Sequence, residues 1–162
     1  MVDQGPNAYW LIVASFFCAL VLAVLPLPAW LAWGRPEWVA LVLIYWVIAL
    51  PHRAGLVTAL ALGLMFDIVG GAVFGQNAFA LVVMSLLALL LYQRLRVFSV
   101  IQQSAVVFVL VGINQMICQW VQNLEGAGAN TMMFLLPAFS SALVWPVVLH
   151  LLRGLRRSFR VT

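Results

Sequence analysis

The chain alternates long apolar runs with short clusters of Pro, Gly, amide and Arg residues. The first run covers Tyr9 to Leu27 and is ended by Pro26 and Pro28. The second covers Trp38 to Leu50, opened by Pro36 and closed by Pro51. The third, Gly55 to Phe74, and the fourth, Ala78 to Tyr92, share one apolar stretch. It divides at Gly70, Gly71, Gly75, Gln76 and Asn77, which is turn chemistry. The fifth covers Ser104 to Val121 and the sixth Thr131 to Leu152. A bilayer core about 30 Å thick takes about 20 residues of helix. The pattern therefore predicts an all-α integral membrane protein with six transmembrane helices in one bundle. The second run is short for this role, since about 14 residues rise only about 21 Å. It either thins the bilayer locally or sits inside the bundle.

Composition narrows the class. Of 162 residues, 66% are hydrophobic and 7% charged, where a soluble domain carries about 25% charge. One transmembrane domain is expected over 1–162, with no room for a soluble catalytic domain. The eight basic residues, all Arg, are too few for a nucleic-acid surface, and their placement follows topology instead. Six spans put Arg53, Arg94, Arg96, Arg153, Arg156, Arg157 and Arg160 on one side, and Arg35, Glu37 and Glu125 on the other. Both termini are accordingly expected in the cytoplasm. The start MVDQGPNAYW lacks a basic leader region, so the first segment is expected to stay as an anchor. The tail RGLRRSFR reads first as a topology signal and second as a contact for anionic lipid in the bilayer. Trp30, Trp33 and Trp38 read as an interfacial belt. Cys18 and Cys118 sit in apolar runs, without disulfide or metal spacing, and no cofactor is expected.

Polar and small residues inside the runs carry the candidate chemistry. Gly55, Ala59, Gly63, Asp67, Gly71 and Gly75 recur every fourth residue and read as a close-packing face, within the bundle or toward a partner's helix. Asp67 lies on that face, and a carboxylate at mid-bilayer costs about 2.5–3.5 kcal/mol on insertion scales. A hydrogen-bonding role is the first reading, ahead of a partner contact or a proton relay. Arg35 or the amides and hydroxyls of other helices are its candidate partners. Gln115, Gln119 and Gln122 form a polar stripe, read as interhelical glue or as the lining of a solute cavity. Pro146 predicts a kink in the sixth segment, with Ser141 available to satisfy freed carbonyls. His52 and His150 both fall at the arginine-rich side, and no nucleophile, base and oxyanion donor converge, so an enzyme is not expected.

Three motifs carry a family resemblance. Arg35-Pro36-Glu37-Trp38, then Leu50-Pro51-His52-Arg53, then Gly63 through Asp67 to Gly71 and Gly75, together resemble the rod shape-determining MreD proteins of Gram-negative bacteria. Trp145-Pro146, the length and the basic tail are also like that family, whereas the Gln stripe matches no family motif. The resemblance implies a non-enzymatic scaffold in the bacterial inner membrane. It implies MreC as main partner, and MreB filaments, the RodA glycosyltransferase and a penicillin-binding transpeptidase in the wider complex for peptidoglycan synthesis. It also implies a fold similar to the substrate-binding subunits of energy-coupling-factor transporters, which keeps a small-solute-binding transporter subunit as the alternative function.

Overall fold

The computed structural model describes residues 7–71, 73–126 and 132–160. They form α1 (Asn7–Val24), α2 (Ala29–Ala32), α3 (Trp38–Ala49), α4 (Leu56–Gly70), α5 (Gln76–Val97), α6 (Val100–Leu124) and α7 (Leu136–Ser158). A 3-10 turn at Met132–Leu135 leads into α7. The breaks fall at the expected punctuation. Pro26 and Pro28 follow α1, and Pro36 and Pro51 flank α3. Gly71 (φ +64°) ends α4 and Gly75 (φ +93°) precedes α5, both in the left-handed region that favours glycine. Thr131, the expected start of the last segment, lies outside the described residues.

Several helices run past their apolar segments. α5 continues through Gln93, Arg94 and Arg96, and α7 takes in Arg153, Arg156 and Arg157. α6 starts four residues before Ser104, because Ser99 caps it: its hydroxyl accepts from the Gln102 N–H while the Gln102 side chain accepts from the Ser99 N–H. Hydropathy marks where a chain leaves apolar surroundings, whereas hydrogen bonds set where a helix stops. α7 also runs on through Pro146 to Ser158.

α3 occupies the centre. Val39 through Ile48 are all buried, and the helix packs against α1, α5, α7 and α6. A helix apolar on every side is stable only where every side is covered. This accounts for its twelve residues: the short second run is an interior helix. Trp46 is fully buried, its indole N–H donating to Ser15 Oγ at 2.8 Å. The Ser15 hydroxyl in turn donates to the Ile12 carbonyl at 2.7 Å.

The bundle is apolar outside as well as inside. Phe139, Leu143, Val147 and Leu151 form an exposed row along α7, while Ala138, Ser141, Trp145 and Leu152 face inward. Val13, Phe17 and Val21 on α1 and Val57, Leu60 and Ile68 on α4 are exposed too. Water-soluble monomers rarely show contiguous apolar surface on this scale. Among the described residues, Gln76–Val97, Val100–Leu124 and Met132–Ser158 are long and apolar enough to cross a membrane. Tyr9–Val24, Trp38–Ala49 and Leu56–Gly70 are shorter apolar helices. This is the surface of a membrane protein.

The small-residue face packs inside the molecule over part of its expected length. Only Ala59, Gly63 and Asp67 of the six lie within α4, and all three are buried. Gly55 caps the start of the helix, and Gly71 and Gly75 belong to the turn into α5, so the six do not form one continuous helical stripe. At Gly63 the chains nearly touch: a Cβ there would sit 2.2 Å from the Ala78 Cα. Nothing lies within 4 Å of the Cβ position at Gly70. Gly63→Ala is therefore expected to destabilise the bundle by about 1–3 kcal/mol, the cost of forced overpacking. Gly70→Ala is expected to be neutral or mildly stabilising. Thermal unfolding in detergent, followed by tryptophan fluorescence, checks both; equal melting of the two variants would remove the close α4–α5 contact.

Candidate functional site

The first turn of any helix carries backbone N–H groups without intrahelical partners. At α5 a single carboxylate takes them. Asp67, near the end of α4 and 2% exposed, accepts from the N–H groups of Gly75 (2.9 Å), Asn77 (3.0 Å) and Ala78 (3.4 Å). It also accepts from Asn77 Nδ2 at 2.8 Å. The positive end of the α5 dipole favours the negative charge placed there. Cys118 on α6 extends the cluster, its thiol 3.7 Å from Asn77 Oδ1. Gln76 Oε1 and Asn114 Oδ1 are buried nearby on α5 and α6 without a protein hydrogen-bond partner.

A second polar group lies at the same end. Gln115 Nε2 donates to Glu37 Oε1 at 2.6 Å, and the Glu37 N–H donates to Ser141 Oγ at 2.9 Å. The turn before α3 is thereby tied to α6 and α7. Burial pushes the Glu37 carboxyl above its ordinary range, and the Gln115 hydrogen bond and the Arg35 charge pull it back. Ser141 thus serves the Glu37 amide. Arg35 does not reach Asp67. Its guanidinium donates to the Leu22 carbonyl (3.1 Å) and to the Leu25 carbonyl, closing the end of α1. Of the two kinds of partner expected for Asp67, a side-chain amide on another helix, that of Asn77, is engaged and Arg35 is not; Asp67 and Arg35 serve different helix ends. The Gln stripe also divides. Gln115 bonds across to Glu37, Gln119 donates to Asn123 on its own helix (3.3 Å), and Gln122 is half-buried.

The opposite end is basic. Arg96 closes α3, with Nε donating to the Ile48 carbonyl (2.8 Å) and Nη2 to the Ala49 carbonyl (3.1 Å). Gln103 closes α5, donating to the Leu95 carbonyl at 2.7 Å, and its Oε1 accepts from the buried Trp145 indole at 3.3 Å. Trp145 therefore joins α7 to α6, while Pro146 beside it is half-buried. Arg53 lies over the Tyr9 ring, 4.8 Å from its centre. Pro36, Trp38 and Pro51 are half-buried at the two ends of α3, and His52 and His150 are exposed. A cleft of about 250 Å³ opens here, lined by Tyr45, Ile48, Ala49, Arg96, Gln103, Leu149, Arg153 and Arg156. Gln103 was not singled out from sequence, and Asn77 was named only as part of the turn between the third and fourth segments. Each is one amide near a helix boundary, and proximity to a cap or glycine turn is the only signal they offer. No group of three His, Cys, Asp or Glu side chains converges among the described residues.

The family model for the rod shape-determining protein MreD matches residues 5–155. The chain belongs to the MreD family. It is 32% identical over 153 residues to the rod shape-determining protein MreD of Haemophilus influenzae, covering 94% of each chain. MreD membership gives the chain a role in determining rod shape. No solved structure matches it.

Asp67 and Arg35 have separate partners, and this can be read out. Asp67→Asn is expected to cost about 1.5–3 kcal/mol, the range for a hydrogen bond to a charged group. Arg35→Gln should destabilise independently, so the double variant should lose the sum to within about 0.5 kcal/mol. Thermal or denaturant unfolding of the four proteins in detergent checks the sum; a double variant no worse than the weaker single would restore the direct tether.

Proposed function

We propose that the chain is an inner-membrane scaffold subunit of the bacterial elongation complex. It crosses the bilayer six times with both termini in the cytoplasm. It binds MreC, and through it helps couple MreB filaments to the RodA glycosyltransferase, the penicillin-binding transpeptidase and peptidoglycan synthesis. Family membership carries this reading. Two physical features support it. The long helices alternate in direction, so that seven Arg residues gather at one end and Arg35 alone at the other, as the positive-inside rule requires of a cytoplasmic basic end. The described surface is helix faces joined by short turns, which leaves helix–helix contact as the means of holding a partner.

The packing bears on where we expect that contact. Gly63 is already filled by Ala78, so a partner's helix is expected on outward-facing residues and not in the small-residue groove. The alternative, a solute-binding transporter subunit, rests on Asp67 and Gln115 lining one cavity. That reading gains no support from these residues, because Asp67 is engaged by the α5 amides and Gln115 by Glu37.

Tagged MreC extracted with this chain from bacterial membranes should retain it through purification. A folded, membrane-inserted chain that never co-purifies with MreC would overturn the scaffold reading. Orientation has its own check. Alkaline phosphatase fused after Thr162 should be inactive and a fluorescent protein at the same place bright; the reverse would place the basic end outside.

A further inference from the structure

The outer ends of the helices are not level. Asn77, in the first turn of α5, lies against Cys118, while α6 runs on to Leu124. That remainder carries α6 about 9 Å beyond the α4–α5 turn. α7 reaches as far. Its Ser141 meets the Glu37 amide, and Gln115, one turn inward of Cys118, meets the Glu37 carboxylate. Outward from Ser141 the chain passes Phe139, Leu136 and Met132, all apolar and exposed, over about 13 Å.

The lipid-facing stretches differ accordingly. On α7 and the turn before it, exposed apolar side chains run from Met132 to Leu151, about 30 Å of chain. This matches a bilayer core of about 30 Å. On α4 they run from Val57 to Val69, about 18 Å. α4 lies at the edge of the bundle, packed chiefly on α5 and little on α1. Arg53 precedes it, and at its outer end Gly70 and Gly71 are exposed. An apolar groove of about 400 Å³ between α1 and α4, walled by Phe17, Val21, Val24, Met65 and Val69, continues the acyl-facing surface to that end.

The last carbonyls of a helix have no partner within it. At full bilayer thickness those of α4 would lie in hydrocarbon. Tilt shortens the reach of a long helix but cannot extend a short one, so α7 can adapt to a thin bilayer and α4 cannot adapt to a thick one. Compressing lipid costs little per ångström, and an unsatisfied carbonyl in hydrocarbon costs far more. The bilayer therefore yields at α4.

We propose that the α4 face is a lipid-contact surface that thins the bilayer beside it, bringing headgroups down toward Gly70 and favouring lipids with short acyl chains, while the α7 face meets a bilayer of full thickness. The inference rests on the membrane placement proposed above and not on the partner.

The test places one fluorophore on a cysteine at Ile68 of α4 or at Phe139 of α7, both exposed. Cys18→Ala removes the exposed native thiol, and Cys118 is buried and stays unlabelled. The full chain is reconstituted in mixtures of dimyristoyl- and dierucoyl-phosphatidylcholine, with a brominated, quenching form of each in turn. The probe at Ile68 should favour the shorter lipid about threefold or more, and the probe at Phe139 by less than about 1.5-fold. Equal ratios at the two positions would overturn the thin face. Quenching at Phe139 with none at Ile68 would mean that a protein surface covers α4, and would overturn it too. Absence of quenching at both positions would instead sink the membrane placement, and the thin face with it. Should Ile68→Cys or Phe139→Cys fail to fold, Met65→Cys on α4 and Leu143→Cys on α7, also exposed, carry the same comparison.

Discussion

Backbone hydrogen bonding at helix ends, in surroundings short of water, is the constraint on which this bundle depends. Each helix leaves N–H groups at its start and carbonyls at its finish that its own turns cannot satisfy. In lipid those groups must find partners within the protein. The chain meets this with side chains from other elements. Asp67 holds the start of α5, Gln103 its end, Arg96 the end of α3 and Arg35 the end of α1. Most of these bonds join a helix end to a different helix or turn, so they fix how the helices meet as well as where they stop.

The central position of α3 follows from the same constraint. An apolar helix of twelve residues is shorter than a bilayer core, and its ends would be buried without water. Arg96 serves one end, and Ser141 and Gln115 hold the turn at the other. With its ends served, α3 can be covered on all sides, and α1, α5, α6 and α7 present their remaining faces outward. The two buried tryptophans are placed by the same need for a partner. Trp46 points its N–H at Ser15 and Trp145 at Gln103. A fully buried indole without an acceptor would forfeit a hydrogen bond it makes with water when unfolded.

Much of this architecture was legible in the sequence, and the limits have a physical origin. Apolar runs and Pro or Gly punctuation located the helices, and the shortness of the second run already allowed an interior helix. Helix ends were less legible, because α5 and α7 continue through arginines that hydropathy assigns to the surface. The importance of Asp67 was legible from its isolation in an apolar run. Its partners were not, since they lie eight to eleven residues away across a turn whose shape depends on Gly71 and Gly75. The small-residue face was legible as a place of close approach. That Ala78 of the same chain fills it at Gly63 is a tertiary fact. Gln103 gave no warning, because one amide near a helix start has the same appearance whether it faces water or closes a neighbouring helix.

Arg35 shows how topology and capping draw on the same residues. In the proposed orientation it is the one basic residue on the outer side, an exception to the charge rule that places the other seven. Its bonds to the Leu22 and Leu25 carbonyls explain the exception. α1 runs from the basic end, so its negative dipole end arrives at the outer side, where a cation is favoured. An arginine is suited to this, since it stays charged and its planar fork can donate to two carbonyls at once. α3 runs the same way as α7 and ends on the inner side, where Arg96 meets both demands together. With twelve charges in the whole chain, few of them can serve orientation alone.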